Sequence, residues 1–337
     1  VKGLGGFHLL CDARRADTVR ALRLRKHREE KPFAVMAPDL ETAHRLCELT
    51  PEEAALLGSP AAPIVLAVKR KVHPLAEGVA PDNPTLGLLL PYTPLHHLLL
   101  HDLGFPVVAT SGNLSDEPIC TDEHEALLRL RGLADFFLVH NRPIARPLDD
   151  SVVRLIAGKP CLLRRARGYA PLPIPWSLPA AAEPDATLLA VGAHMKTSVT
   201  LATATRAMVG AHIGDLDSLE ARRAFQRAAQ DLVTLYAATP SRWACDRHPD
   251  YASSAYAREH GQHVVAVQHH HAHIAAGLAE HGLSGPVCGF AWDGTGLGDD
   301  GTLWGGECLR VDRAGYRRLG WIRGFALPGG DHAARKP

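Results

Sequence analysis

Short apolar runs alternate with helical spacings through the first half of the chain. Pro32-Phe-Ala-Val-Met36 and Ala62-Pro-Ile-Val-Leu-Ala-Val68 are apolar stretches of strand length, whereas Leu40–Cys47 and Pro51–Leu57 have the pattern of helices. Val107-Val-Ala-Thr-Ser-Gly-Asn113 reads as a buried strand running into small polar residues around a glycine. This alternation predicts an α/β domain. Five prolines between Tyr169 and Pro184 suppress both helix and central strand, so residues 172–185 are expected to be a linker. Beyond it, Thr187–Gly192 and Thr197–Ala202 read as strands. Ser218–Ala237 reads as one amphipathic helix with Ser218 as its N-cap. The pattern therefore predicts two domains, 1–171 and 186–337, without internal repeats.

Composition narrows the class. A chain of 337 residues with 46% hydrophobic content can bury two cores of ordinary size. Lys and Arg number 37 against 36 Asp and Glu; a net charge of +1 gives no global field to attract nucleic acid or an anionic membrane. The seven cysteines are scattered, odd in number and free of CxxC pairs, which argues against a disulfide framework or a cysteine zinc site and for a reducing cytoplasm. No apolar run approaches the roughly 20 residues of a membrane span. The chain opens on Val1 rather than Met and stops at Pro337 soon after a Gly-Gly pair, so both ends are expected to be cuts within a longer protein.

Several segments carry candidate chemistry. Lys26, Arg28 and Lys31 place three cations within six residues, just before an apolar strand, where they can converge on one anion; such a cluster is also commonly a solvated surface. The Thr110-Ser-Gly-Asn113 turn suits close approach of backbone to a phosphate or ribose, or is an ordinary strand-to-turn transition. Val267-Gln-His-His-His-Ala-His-Ile274 holds four histidines in five positions. On a helix, His269 and His273 at i and i+4 share one face and can bind one metal. Asp293-Gly-Thr-Gly-Leu-Gly298 and Trp304-Gly-Gly-Glu307 flank a turn at Asp299–Gly301, predicting a β-hairpin with glycines where backbone can touch phosphate. It lacks the lysine and helix of a P-loop.

Lys2-Gly-Leu-Gly-Gly-Phe-His-Leu-Leu-Cys-Asp-Ala13, Lys31–Met36, Leu90-Pro-Tyr-Thr-Pro-Leu-His-His97, Thr110–Asn113, Asp149–Arg154 and Arg164-Arg-Ala-Arg-Gly-Tyr-Ala-Pro171 stand in one order. Together they resemble the YrdC family, and specifically its HypF branch, over nearly all of residues 1–171. The resemblance implies a twisted mixed sheet in which Lys26, Arg28, Ser111 and Asn113 hold ATP phosphates and the developing acyl adenylate. It makes Lys31, Arg165 and Arg167 further nucleotide contacts and places His8 in the carbamoyl-donor pocket. Family members begin with a further strand and helix, so the N-terminal edge is expected to be incomplete. Gly192-Ala-His-Met-Lys196, Asp246-Arg-His-Pro-Asp-Tyr251, the His269/His273 pair and Asp293-Gly-Thr-Gly296 resemble the carbamoyl- and threonylcarbamoyl-transferase superfamily with the actin-like ATPase fold. That likeness implies iron or zinc held by His269, His273 and Asp293, a further aspartate beyond Pro337, and nucleotide contacts at Gly294 and Gly296. With only the first lobe present, the metal and ATP sites are expected to be unfinished.

The chemistry implied is conversion of carbamoyl phosphate and ATP, with Mg²⁺, into carbamoyl adenylate. Carbamoyl transfer to the C-terminal cysteine of a HypE-type acceptor, in maturation of a nickel-iron hydrogenase, would follow. No cysteine here sits in a recognisable nucleophile setting, which puts the acceptor in trans. Threonylcarbamoyl-adenylate synthesis for tRNA modification uses the same two folds, but their fusion in one chain, Gly5–His8 and Arg164–Pro171 favour the HypF branch. Antibiotic O-carbamoyltransferases carry the two domains in the opposite order. An RNA-binding module is opposed by the near-zero charge and the histidine pair.

Overall fold

The computed structural model describes residues 1–114, 117–176, 186–312, 314–326 and 328–329. They form two compact units: Val1–Leu172 with Val209–Ala228, and Pro173–Met208 with Ala229–Pro337. Most of the predicted linker, residues 177–185, lies outside the described residues, as does the end of the chain from residue 330.

The elements of the first unit are β1 (His8–Asp12), α1 (Ala16–Lys26), β2 (Ala34–Met36), α2 (Leu40–Leu46), β3 (Cys47–Glu48), α3 (Pro51–Leu57), β4 (Ile64–Lys69), β5 (Thr85–Leu89), α4 (Pro94–Leu103), β6 (Val107–Ser111), α5 (Glu123–Arg129), β7 (Val152–Ile156) and β8 (Lys159–Arg164). One mixed sheet runs β1-β6-β2-β5-β4-β7-β8, with β3 paired to the free length of β4. The β2/β5 and β4/β7 pairs are parallel, and β1/β6, β2/β6, β4/β5 and β7/β8 are antiparallel. Its central strands are apolar on both faces, which accounts for the unbroken hydrophobic runs. Val35, Leu86, Leu88 and Val108 enter one core with Phe7, Phe33 and Val19. The alternate residues Met36, Leu89, Val107 and Ala109 enter a second core with Leu100 of α4.

Local chemistry fixes the helix ends close to where the sequence put them. Thr50 and Glu53 form a reciprocal capping box ahead of Pro51, and Thr93 caps α4 ahead of Pro94. The β2 strand begins at Ala34, two residues later than its apolar run.

In the second unit, β9 (Pro173–Pro175), β10 (Leu188–Ala190), β11 (Thr200–Ala202), β12 (Arg206–Val209), β13 (Arg242–Asp246) and β14 (Val264–Val267) form a sheet ordered β14-β13-β10-β11-β12-β9. The helix α6 (Leu219–Leu235), which belongs to the first unit up to Ala228 and to the second from Ala229, is capped by the Ser218 hydroxyl, which accepts from the Ala221 amide. After α7 (Ala252–His260) and α8 (His269–Glu280) come β15 (Val287–Ala291), β16 (Gly296–Leu297), β17 (Leu303–Trp304), β18 (Glu307–Asp312) and β19 (Gly315–Trp321). Strands β15, β18 and β19 make one antiparallel sheet, and β16/β17 make the expected hairpin. One expectation is corrected. The proline-rich segment is not wholly without structure, because Pro173–Pro175 pairs with Arg206–Met208. Prolines are tolerated there because β9 lies at the sheet edge.

Candidate functional site

The first site is built where α1 meets the end of β6. His27 turns left-handed at φ 49° and the Arg28 amide returns to the Arg23 carbonyl, ending α1 at Lys26 and sending that side chain inward. Lys26 is 6% exposed. Its Nζ donates to the Ser111 carbonyl at 2.7 Å, the Asn113 carbonyl at 2.9 Å and Asn113 Oδ1 at 2.8 Å. Ser111 Oγ donates to the same Oδ1 at 2.7 Å, and Asn113 Nδ2 donates to the Glu117 carbonyl at 2.6 Å. Lys26, Ser111 and Asn113 are thus one network. Gly112 makes its turn possible: its amide donates to the Phe7 carbonyl at 2.6 Å, and a Cβ would lie 2.7 Å from that oxygen. Gly112→Ala is therefore expected to destabilise the fold by about 1–3 kcal/mol in chemical unfolding; an unchanged midpoint would show that Phe7 yields.

Arg28 stands beside this network with its guanidinium turned to the Lys31 carbonyl at 2.9 Å and the Pro32 carbonyl at 2.5 Å, while Lys31 is exposed. Burial, then Arg28 and Lys31, push Lys26 down to about 8 against the pull of Asp149. Burial, then Arg23 and Arg164, push Arg28 down to about 10. Crowded, half-desolvated cations are relieved when an anion enters, which is the electrostatic character a triphosphate site needs. Arg23, Arg164 and Asp149 belong to this field, Arg164 pairing with Asp149 at 2.9 Å. Sequence reasoning gave none of the three an electrostatic role, although Asp149 and Arg164 open two of its motifs. Because Lys26 is charged below about pH 8 and neutral above it, affinity for a phosphate anion at this network is expected to be full below that pH and to fall as pH rises through it. Affinity for a polyphosphate that stays flat from pH 7 to 9.5 would show that Lys26 carries no phosphate charge. A cavity of about 110 Å³ adjoins Ser111 and Asn113, with Asp149 and His212 also in its lining. Its volume is closer to that of a phosphate-sized group than to that of a whole nucleotide.

Arg165 and Arg167 are placed elsewhere. Arg165 donates to the Tyr169 and Leu172 carbonyls. Arg167 is buried and donates to Asp150 at 2.8 and 3.1 Å and to the Ala61 and Ala62 carbonyls, with its guanidinium 3.5 Å above the Tyr92 ring. His8 Nε2 lies 3.2 Å from the other Asp150 oxygen. Burial opposes ionisation of Asp150, but His8 and Arg167 outweigh it and hold the carboxyl below its usual range. His8 is buried and pairs in register with Ser111 across β1 and β6, so both side chains leave the sheet on one face.

The second site forms at the start of α8, where Gln268 accepts from the His271 amide and caps the helix. One turn apart, His269 and His273 bring their Nε2 atoms to 3.3 Å. Asp293, two residues past β15, places Oδ2 at 2.6 Å from His269 Nε2 and 3.5 Å from His273 Nε2. Asp246 at the end of β13 holds His269 Nδ1 at 2.6 Å. One ligand atom from each of His269, His273 and Asp293 lies within 4.8 Å of the others, a spacing that can close on one ion. Asp246, then Asp293, raise His269 to about 9; the two histidines hold Asp293 below the usual carboxylate range. The other two histidines diverge: His270 is buried beside Gln268, and His271 packs on Tyr316.

Sequence reasoning named the three convergent residues but gave Asp246 no role as the orienting partner of His269. The glycines sort differently. Gly296 lies beneath α8, where a Cβ would be 2.8 Å from His269 Cβ and 2.7 Å from His270 Cε1. Its missing side chain makes room for the histidine helix. Gly294 is exposed and has open space where a Cβ would stand.

Three family models match the chain. Sua5_yciO_yrdC, described as telomere recombination, covers residues 1–166. The HypF Kae1-like domain covers 183–280, and the second subdomain of the carbamoyltransferase Kae1-like domain covers 289–337. Carbamoyltransferase HypF of Synechocystis sp. is 49% identical over all of this chain and 44% of that protein. HypF of Rhodobacter capsulatus is 46% identical over all of this chain and 46% of its own length. A full-length HypF in its phosphate- and nucleotide-bound form superposes with a TM-score of 0.92 at 44% identity, covering 98% of this chain and 43% of that one. T. kodakarensis HypF gives 0.89 at 36% identity, covering 99% of this chain and 44% of that one. The chain thus spans less than half the length of these relatives. A YrdC-like domain followed by a Kae1-like domain, alike to HypF proteins along its whole length, makes this chain a member of the HypF family.

Proposed function

We propose that the first unit condenses carbamate, formed from carbamoyl phosphate and water with release of phosphate, with ATP to give carbamoyl adenylate and pyrophosphate, and that the second passes the carbamoyl group to a thiol acceptor with release of AMP. The observation carrying this reading is one chain holding both the buried Lys26–Ser111–Asn113 network amid cations and the His269–His273–Asp293 convergence. In adenylyl transfer, charge spreads over the phosphates and the leaving pyrophosphate. Lys26 and Arg28 offset that charge, Mg²⁺ accompanies the nucleotide, and the rigid Ser111–Asn113 turn positions the α-phosphate.

Two imidazoles and a carboxylate suit zinc or iron(II), with ligand positions left for substrate or a further side chain. Bound there, such an ion would polarise the carbamoyl carbonyl. The chain's own contribution is orientation: Asp246 faces Nδ1 of His269, so that with a metal bound the ring would donate Nδ1–H there and turn its Nε2 lone pair to the ion. Burial pushes the Cys11, Cys47 and Cys120 thiols up to about 11, 12 and 11, which disqualifies them as nucleophiles at neutral pH. An acceptor in trans, the C-terminal cysteine of a HypE-type partner in hydrogenase maturation, fits this gap. Seven free cysteines accord with a reducing cytoplasm, and among the described residues no helix is long and apolar enough to cross a membrane.

The deciding assay is pyrophosphate release from ATP by the purified chain with carbamoyl phosphate, beside a reaction with threonine and bicarbonate. Release with carbamoyl phosphate alone is expected. Release with threonine and bicarbonate alone would move the chain to threonylcarbamoyl chemistry.

A further inference from the structure

Two thiols of the second unit touch: Cys288 on β15 and Cys308 on β18 share a hydrogen bond, Sγ to Sγ at 3.4 Å. The antiparallel register sets Cys288 opposite Arg310 and Cys308 opposite Phe290, so the cysteines are diagonal neighbours on one face of the sheet. The alternate residues Ala291, Leu309 and Val311 are buried, which turns the thiol face outward. Cys288 is exposed and Cys308 half-buried, whereas Cys47, Cys120 and Cys245 are buried. An accessible thiol with a second thiol in contact is the arrangement that exchanges with disulfides.

The strands that carry the pair also carry the histidine and aspartate cluster. Asp293 lies two residues past β15, and its carbonyl accepts from the Gly306 amide, one residue before β18. On the inner face of β15, Gly289 rests against α8, where a Cβ would lie 2.6 Å from Ile274 Cδ1. Ile274 follows His273. A covalent link between Cys288 and Cys308 would therefore close a loop over residues 289–307 and restrain the segment that positions Asp293.

We propose that Cys288 and Cys308 are a dithiol exchange site for low-molecular-weight disulfides, whose oxidation links β15 to β18 and restrains residues 289–307. The Cys288 thiolate, the more accessible sulfur, attacks one sulfur of the disulfide RSSR, forming a mixed disulfide and releasing one RS⁻. Cys308 then gives up its proton and attacks Cys288 Sγ. The intrachain bond forms and the second RS⁻ leaves, so two protein thiols are oxidised and one disulfide is reduced to two thiols. A reducing dithiol reverses both steps. The bond to Cys288 raises the Cys308 thiol, which suits Cys308 to the second, resolving attack. In a reducing cytoplasm such a link is transient, as redox-sensing pairs are. The exchange needs neither nucleotide nor metal, so it stands or falls apart from the adenylation and transfer readings.

The test is incubation of the folded, metal-free chain in glutathione buffers of graded oxidised-to-reduced ratio, followed by acid quenching, alkylation and peptide mass spectrometry. A Cys288–Cys308 link is expected to accumulate with the oxidised fraction and to disappear with dithiothreitol. Cys308→Ser should leave Cys288 as a stable glutathione mixed disulfide, and Cys288→Ser should leave Cys308 largely a free thiol. Amide hydrogen exchange over residues 289–307 should slow several-fold in the oxidised chain and recover on reduction. Both thiols free in excess oxidised glutathione, a link that forms only after unfolding, or a mixed disulfide that persists at Cys288 of the unaltered chain would overturn the exchange site. Unchanged hydrogen exchange in the linked chain would overturn the restraint.

Discussion

Lys26→Ala is expected to lower carbamoyl-dependent pyrophosphate release by about 10²–10³-fold, the usual effect of removing one preorganised charge-stabilising donor. Two effects combine. The substitution deletes a cation from the phosphate field, and it takes the ammonium donor away from the Ser111 and Asn113 carbonyls and from Asn113 Oδ1. The second effect alone should cost about 1–3 kcal/mol of stability, read as a fall in the unfolding midpoint. Lys26→Arg should not restore activity, because a planar guanidinium does not fit a space shaped for a 6% exposed ammonium. Asn113→Ala, which removes the acceptor shared by Lys26 and Ser111, should show the same loss with the cation kept. Activity within a few-fold of the unaltered chain in either variant would refute the assignment.

His269→Ala is expected to abolish stoichiometric zinc or iron binding in the second unit, because His269 touches both Asp246 and Asp293. Asp246→Asn is the finer probe. The side chain remains but orients Nδ1 less firmly, and an orienting partner of this kind is typically worth about 10–100-fold in metal affinity. Chelator competition should rank the unaltered chain above Asp246→Asn, and Asp246→Asn above His269→Ala. Should Asp246→Asn bind metal as tightly as the unaltered chain, Asp246 would be an N-terminal brace for α7 rather than an orienting group, a role its carbonyl already has through Ser254.

Residues whose role depends on neighbours in sequence were legible from the sequence itself. Pro51–Leu57 stands as a helix between its capping box and Gly58, and His269 and His273 converge because helical periodicity alone brings them together. Residues whose role depends on long-range packing were not. Arg167 looked like one more cation in a basic run, yet its partner Asp150 is 17 positions away and its other acceptors, Ala61 and Ala62, more than a hundred. The same limit hid Asp246, whose partner lies 23 positions on. Gly296 was legible as a glycine with a purpose, but its neighbour proved to be the histidine helix.

The short strand Pro173–Pro175 has a consequence for how this protein can associate. Two of its three residues carry no N–H, and it occupies the outer position beside Arg206–Met208. An arriving strand would find at most one donor there and could not build a ladder. Recruitment by strand addition on that sheet is thereby confined to its opposite margin at Val264–Val267, and chain-to-chain polymerisation through both margins is blocked at one end.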